Sequence, residues 1–288
     1  MYCGMIDIGS NTIRLVIYES RAGEWLQREN VADYAGLISD VSDGKISEEG
    51  IGKIISALNG MKEKCAEWGC EKIYAFATAS LRDIADQAGL RVLILEKTGI
   101  EIHFISGMEE AWYDYMGLQS QYQLSKGIAF DLGGGSCQMA FFEYQQVPEY
   151  GSMKIGSLRL YDEFVAGDFP TAAEMDKLRR KVRRELADFA LCKGAKFPEI
   201  FGMGGAARAA LKLQSYLTPM DEPFLTTDQM RGLMQIPEEI IRAVIPERAK
   251  TILPAVLTML EICRYTNAKA VHVTDCGVRE GLLNALHF

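Results

Sequence analysis

Two stretches of this chain share a residue pattern suited to gripping an oxyanion. Asp7-Ile8-Gly9-Ser10-Asn11-Thr12 lies near the N-terminus, and Asp131-Leu132-Gly133-Gly134-Gly135-Ser136 repeats it near the middle. Each copy follows an apolar run (Met5-Ile6; Gly127 to Phe130) and leads into another (Ile13 to Tyr18; Met139 to Phe142). Each therefore reads as strand, tight polar turn, strand. Small turn residues let backbone N–H groups come close to an anion with no side chain in the way. The Asp opening each copy can hold a divalent cation or a water beside that anion. One such hairpin in each half predicts two grips on a phosphate chain and its metal, with Asp7 and Asp131 on opposite walls.

Other residues could join that chemistry. Gly202-Met203-Gly204-Gly205 ends a strand and opens a helix. A helix N-terminus binds phosphate through its unpaired N–H groups, and the same glycines also allow close helix–strand packing; both readings stand. In Thr78-Ala79-Ser80-Leu81-Arg82, Ser80 reads as an N-cap, while Arg82 either meets an anion or is solvated. Arg14, Arg159, Arg208 and Arg279 also lie near motif-like turns. Ser106-Gly107-Met108-Glu109 is a capping box, which gives Glu109 a structural task. Glu110 sits about 100° further round the helix and the box makes no use of it. A carboxylate there could polarise a water against a bound phosphate, although the local sequence alone expects a surface glutamate.

The elements that must position these residues form two α/β units. Strands are expected over 2–8, 12–19 and 24–34, then an amphipathic helix begins after Ser47. A strand at 72–78, a helix at 80–99 and a strand at 101–105 follow. The helix opened by the capping box runs to about Gln123, and Ser125-Lys126-Gly127 marks the junction. The domains expected are thus 1–124 and 125–288. The second begins with a hairpin over 127–144. Thr171 to Glu174 is a capping box opening a charged helix to about Cys192. A strand over 199–203 precedes a helix, two shorter helices (227–235 and 237–244) and a long apolar one from Arg248 to Tyr265. A strand over 270–274 and a helix over 279–286 close the chain.

Composition narrows the function classes. The 288 residues are 48% hydrophobic and 24% charged, ordinary for a globular protein with a sizeable core. No apolar run approaches the ~20 residues of a membrane span, and no basic segment precedes an apolar stretch at the N-terminus. The seven cysteines are scattered without a C-x-x-C pair, which fits reduced thiols and a cytoplasmic location rather than disulfides or zinc. His103, His272 and His287 are too dispersed for a His-based metal site. A net charge of −8 argues against general nucleic-acid binding, so a polyanion would need a local cationic pocket.

Taken together, Asp7 to Thr12, Ala77 to Asp83, Ser106 to Ala111, Asp131 to Ser136, Gly202 to Arg208 and Asp275 to Gly281 resemble the exopolyphosphatase / guanosine pentaphosphate phosphatase (Ppx/GppA) family. The stretches occur in the family's order and span almost the whole chain. The resemblance implies two related actin-like domains with the active site in the cleft between them. It implies Mg²⁺-dependent hydrolysis of a terminal phosphoanhydride in inorganic polyphosphate or guanosine pentaphosphate. By the same resemblance Glu110 takes the catalytic-base role and Asp131 the metal-linked carboxylate. Gly9, Ser10 and Asn11 match one phosphate loop; Gly133, Gly134, Gly135 and Ser136 match the other. Gly204 and Gly205 match a third motif, and Arg14, Arg82 and Arg279 fall where relatives carry basic residues near the phosphates. Asp7, Asp131 and position 138 are the implied metal residues.

Three departures from the family pattern bear on activity. Where relatives read Gly-Gly-Gly-Ser-Thr-Glu, this chain has Cys137 and Gln138, and a neutral amide is a poorer cation ligand than a carboxylate. Ala206 replaces a usual Thr. The chain also lacks the extra C-terminal domains of longer members, which favours short polyphosphates. Weaker Mg²⁺ binding, slower hydrolysis, or both are expected from Gln138. The leading reading is a cytoplasmic phosphoanhydride hydrolase. A catalytically weakened sensor of polyphosphate or nucleotide is the alternative, and an ATP-dependent kinase of the same fold is a third. The oligomeric state is open, a homodimer included.

Overall fold

A computed structural model describes residues 1–143, 148–189, 197 and 199–286. The chain divides into two compact units, Met1–Gly107 and Met108–Phe288. The first opens with the meander β1 (Tyr2–Ile8), β2 (Ile13–Arg21) and β3 (Glu24–Asp33), then a short hairpin of β4 (Val41–Ser42) and β5 (Lys45–Ile46). It continues as α1 (Glu48–Glu67), β6 (Lys72–Ala77), α2 (Ala79–Arg82), α3 (Gln87–Thr98) and β7 (Ile102–Phe104). Its sheet runs β3-β2-β1-β6-β7, with β6 and β7 parallel to β1. Ile54, Ala57, Leu58, Met61 and Cys65 recur at helical spacing and bury one face of α1. Ser47 accepts the Gly50 N–H at 3.0 Å and so starts that helix where the sequence signals it.

The second unit begins with α4 (Gly107–Gln121), which opens one residue before the division. It then forms β8 (Lys126–Leu132), β9 (Cys137–Glu143), β10 (Glu149–Met153), α5 (Ser157–Phe164), α6 (Ala172–Phe189) and β11 (Glu199–Met203). After these come α7 (Gly204–Leu217), β12 (Phe224–Thr226), α8 (Thr227–Leu233), α9 (Glu238–Val244), α10 (Ile252–Thr266), β13 (Ala270–Val273) and α11 (Val278–Ala285). Its sheet runs β10-β9-β8-β11-β13-β12. Apart from the short antiparallel edge strand β12, both sheets share one plan. An antiparallel meander comes first, then two strands parallel to its first member. This duplicated order is the actin-like α/β architecture that the resemblance implies.

Several boundaries differ from the sequence expectation, each for a physical reason. The expected division at 124/125 would leave α4 with the N-terminal domain, whereas α4 packs within the second unit. Leu118 shares an apolar cluster with Ala129, Phe142, Met203 and Cys276. The backbones of α4 and the α11 region touch so closely that a Cβ at Gly117 would overlap the Gly277 carbonyl. A Cβ at Gly281 would likewise overlap that of Tyr113. The helix expected over 80–99 is broken after Arg82, because Ala85 N–H leaves it to bond the Gly44 carbonyl at 2.7 Å. Asp86 then caps α3 by accepting from Gly89 N at 2.8 Å. The helix expected from Arg248 begins at Ile252, after a single 3₁₀ turn at Pro246–Arg248. Strand β10 and helix α5 went unread. The Thr171–Glu174 capping box forms, with Thr171 N–H donating to Glu174 Oε2 at 2.7 Å. The expected end of its helix near Cys192, and His287, lie outside the described residues. Among the described residues no helix is long and apolar enough to cross a membrane.

The α4–α11 contact yields a direct stability test. Gly281→Ala must push a methyl into the Tyr113 backbone, and overpacking of this kind costs about 1–3 kcal/mol. Urea unfolding should show that loss, and a change below about 0.5 kcal/mol, the usual range for a surface site, would contradict the packing.

Candidate functional site

The two polar turns close in the same way. Gly9 N–H donates to Thr12 O, and Gly133 N–H donates to Ser136 O, each at 3.0 Å. In both, the carbonyl edge is tied down by the start of a later helical turn. Ser10 O and Asn11 O accept from Ile38 and Gly36, both at 3.0 Å. Gly133 O accepts from Ser157 N at 3.0 Å, and Gly134 O from Leu158 and Arg159 N at 3.0 and 2.9 Å. Arg159 Nε adds a bond to Gly135 O at 2.8 Å. The Asp-x-Gly repeat is therefore a repeat of structure as well as of sequence.

Around the first turn, Asp7 stands opposite Arg14 in the β1–β2 register. Arg14 Nη1 donates to Asn30 Oδ1 at 2.5 Å. The hydroxyls of Ser10 and Ser80 are buried without a hydrogen-bond partner among the described residues. Ser80 is not the N-cap: Thr78 holds that position, its carbonyl accepting from Leu81 and Arg82 N–H groups at 3.2 and 3.0 Å. Ser80 thus lies inside the turn of helix rather than at its mouth. Arg82 ends α2 and is half-buried.

The second unit holds a denser cluster. Asp131 on β8, Gln138 on β9 and Ser152 on β10 are directly cross-strand neighbours. Opposed residues in antiparallel pairs share a sheet face, so the three form a row. Ser136, two residues before Gln138, falls on the same side. Helix α4 lies over this row, with Trp112 against Tyr150 and Tyr115 against Phe142. Glu110 and Asp114 are one turn apart on α4 and point the same way. Both are buried, at 8% and 2% exposure. Burial corrects the expectation of a surface glutamate at 110, while Glu109 is exposed.

Gln138 Nε2 lies 2.9 Å from Glu110 Oε2, 2.7 Å from Ser136 Oγ and 2.9 Å from Ser152 Oγ. Asp114, Asp131 and Gln138 line a narrow gap under α4. The surrounding protein desolvates Asp131 and raises its pKa above the ordinary carboxylate value. Arg208, a hydrogen bond with Asp114, Arg279 and Arg248 pull the other way without overcoming that burial. Gly204, at φ +88°, gives Asp131 its space: a Cβ there would overlap Asp131 Oδ1. One at Gly205 would meet the Arg248 guanidinium. Close packing thus accounts for the side of both glycines that a Cβ would occupy. The two remaining departures, Cys137 and Ala206, face the apolar core.

Of the expected site residues, Glu110, Asp131, Ser136 and Gln138 gather in one cluster, with Arg279 acting on Asp131. Gly9, Ser10, Asn11, Asp7, Arg14 and Arg82 belong to the first unit. Asp114, Ser152 and Arg248 were missed. Asp114 had one signal, its spacing of four from Glu110; Ser152 and Arg248 had none, since tertiary pairing alone brings them in.

Comparison with known proteins gives the family. Residues 39–287 match the model of the Ppx/GppA phosphatase family, and the chain belongs to that family. It is 25% identical over 307 residues to exopolyphosphatase 1 of Mycobacterium tuberculosis, covering 98% of this chain and 87% of that protein. The crystal structure of the Aquifex aeolicus Ppx/GppA family member superposes with a TM-score of 0.79 at 25% identity, over 100% of this chain and 97% of that one. An exopolyphosphatase from Cytophaga hutchinsonii shares the fold at TM-score 0.89 and 19% identity, over 99% and 97% of the two chains.

The raised pKa of Asp131 has a measurable sign. The folded state keeps a proton that the unfolded chain releases above about 3.8, so this group's contribution to stability falls as pH rises from there through its folded-state value. Urea unfolding across pH should show the wild type losing stability relative to Asp131→Asn in that window. A flat or rising difference would contradict the burial of Asp131.

Proposed function

We propose that this chain hydrolyses the terminal phosphoanhydride of inorganic polyphosphate, short chains first, or of guanosine pentaphosphate, with Glu110 as general base. The observation that carries the reading is the buried Glu110 carboxylate, which accepts from Gln138 beside the Asp131–Ser136 turn. In the reaction, a water oxygen bonds to the terminal phosphorus as the bridging P–O bond breaks, and Glu110 takes the water's proton. The leaving phosphate departs with the bridging oxygen. The N–H edges of Gly9, Ser10 and Asn11 and of Gly133, Gly134, Gly135 and Ser136 bind phosphate oxygens, helped by Arg14, Arg82 and Arg279 and by the α7 start at Gly204 and Gly205. The carbonyl clamps on both turns support this, since they hold each loop in one conformation before substrate arrives.

Mg²⁺ fits as a sparsely held ion. Among the described residues no group of three or more His, Cys, Asp and Glu side chains is placed to hold a metal. Mg²⁺ keeps several waters and commonly takes only one or two protein carboxylates, with the rest from substrate phosphates. Asp131 and Asp7 would be those carboxylates, and Gln138 Oε1, a buried acceptor without a hydrogen-bond partner among the described residues, a third contact. When bound, the ion neutralises charge on the phosphate oxygens. Reduced thiols and the absence of a membrane-spanning pattern support a cytoplasmic setting for this chemistry.

Phosphate release from tripolyphosphate, long polyphosphate, guanosine pentaphosphate and ATP, with and without Mg²⁺, tests the reading. Glu110→Gln should lower turnover roughly 10²–10⁴-fold, the usual contribution of a general base, while Glu109→Gln leaves it near wild type. Equal, small effects would remove the base assignment. Binding of the same compounds without turnover in the wild type would decide for the sensor instead.

Gln138→Glu addresses the metal through the Mg²⁺ requirement rather than through turnover, because it also removes the amide donor to Glu110. It adds a carboxylate next to Asp131 and should lower the Mg²⁺ concentration giving half-maximal activity. An unchanged requirement would show that position 138 takes no part in holding the ion.

A further inference from the structure

The Gln138 side chain is 1% exposed, and its amide is oriented against its own self-interest. Turned the other way, Oε1 would face the hydroxyls of Ser136 and Ser152, two donors within 2.9 Å. As it stands, Oε1 is buried without a hydrogen-bond partner among the described residues, a costly arrangement for a polar atom. One neighbour explains the orientation. The Glu110 carboxylate only accepts, so it requires the NH₂ end. The nitrogen carries two hydrogens, so one goes to Glu110 and the other to Ser136 at 2.7 Å or Ser152 at 2.9 Å, whose hydroxyls can rotate to accept it.

We propose that Gln138, braced by Ser136 and by Ser152 on the neighbouring strand β10, is the positioning residue for Glu110. It donates to that carboxylate at Oε2, 2.9 Å away, and so adds an orienting contact to a side chain buried under α4. The proposal rests on the reading of Glu110 as base and gives Gln138 a task apart from any contact with a cation. A base held in one orientation reaches the water's proton more often than one that must be found there, and small misplacements are expensive in rate. Ser152 supplies part of the brace through strand register alone.

The test combines kinetics on tripolyphosphate with side-chain amide exchange in the free protein. Gln138→Leu keeps the volume and removes the donor. Loss of a hydrogen bond to a charged group should lower kcat roughly 10- to 100-fold, with KM shifting less than about threefold. In a Glu110→Gln background the same change should alter kcat less than about twofold, because coupled residues are not additive. Equal falls in both backgrounds would overturn the proposal. Independently of activity, the ¹⁵N side-chain amide of Gln138 should exchange slowly with solvent in the wild type. It should lose that protection in Glu110→Ala and keep it in Glu109→Ala. Protection indifferent to Glu110 would overturn the contact even if Gln138→Leu failed to fold. If Glu110→Gln instead keeps full turnover, the base reading falls, and the amide measurement still decides whether Gln138 holds Glu110.

Discussion

The organisation of the second unit depends on one contact, the laying of α4 across the β8-β9-β10 face. Without that cover Glu110 would be a solvated glutamate at the start of a helix, and Gln138 an ordinary polar residue on a strand. With it, an acid is buried at 8% exposure against an amide that is buried at 1%. The cover itself is made possible by absent side chains. Glycines at 117 and 281 let the α4 and α11 backbones approach within the space a Cβ would fill. Aromatic contacts of Trp112 and Tyr115 with Tyr150 and Phe142 then set how the helix lies on the strands. Carboxylates at positions 110 and 114 meet the row below because a helix returns to the same face every turn, while Asp131, Gln138 and Ser152 align through antiparallel register.

The duplication supplies a second principle of construction. Each unit presents a turn closed by the same N–H to carbonyl bond, and each turns its carbonyl edge toward a later helical N-terminus. A loop fixed by its acceptors has its donors arranged in advance. In the proposed function, an anion bound at these turns would lose less ordering entropy. Around Asp131 the balance differs: burial raises the carboxyl pKa despite three arginines. A buried acid with cations close by is a poised group rather than a settled ion pair.

How far the sequence alone reveals this site follows from which features are local. The two turns were legible because Asp-x-Gly patterns between apolar runs are read within six residues. Glycine and aspartate carry the backbone constraint themselves. The α1 helix was legible for the same reason, through Ser47 and its apolar spacing. Burial at Glu110 was not, since the capping box beside it sets only the helix start and says nothing of which face meets the sheet. Strand β10 escaped notice because Glu149 to Met153 has little of the alternation that marks a half-buried strand. Ser152 was lost with it. Arg248 and Asp114 reach Asp131 from elements distant in sequence. The break after Arg82 came from a tertiary bond to Gly44 that overrode an otherwise helical stretch.

In the proposed reaction, water activated at Glu110 attacks the terminal phosphorus of a phosphate chain. Phosphorus NMR of tripolyphosphate turnover in heavy-oxygen water with Mg²⁺ tests it most directly. Attack by water at the terminal phosphorus puts the heavy oxygen in the released orthophosphate and none in the diphosphate product. Label in the diphosphate, or no turnover of either tripolyphosphate or guanosine pentaphosphate, would contradict it.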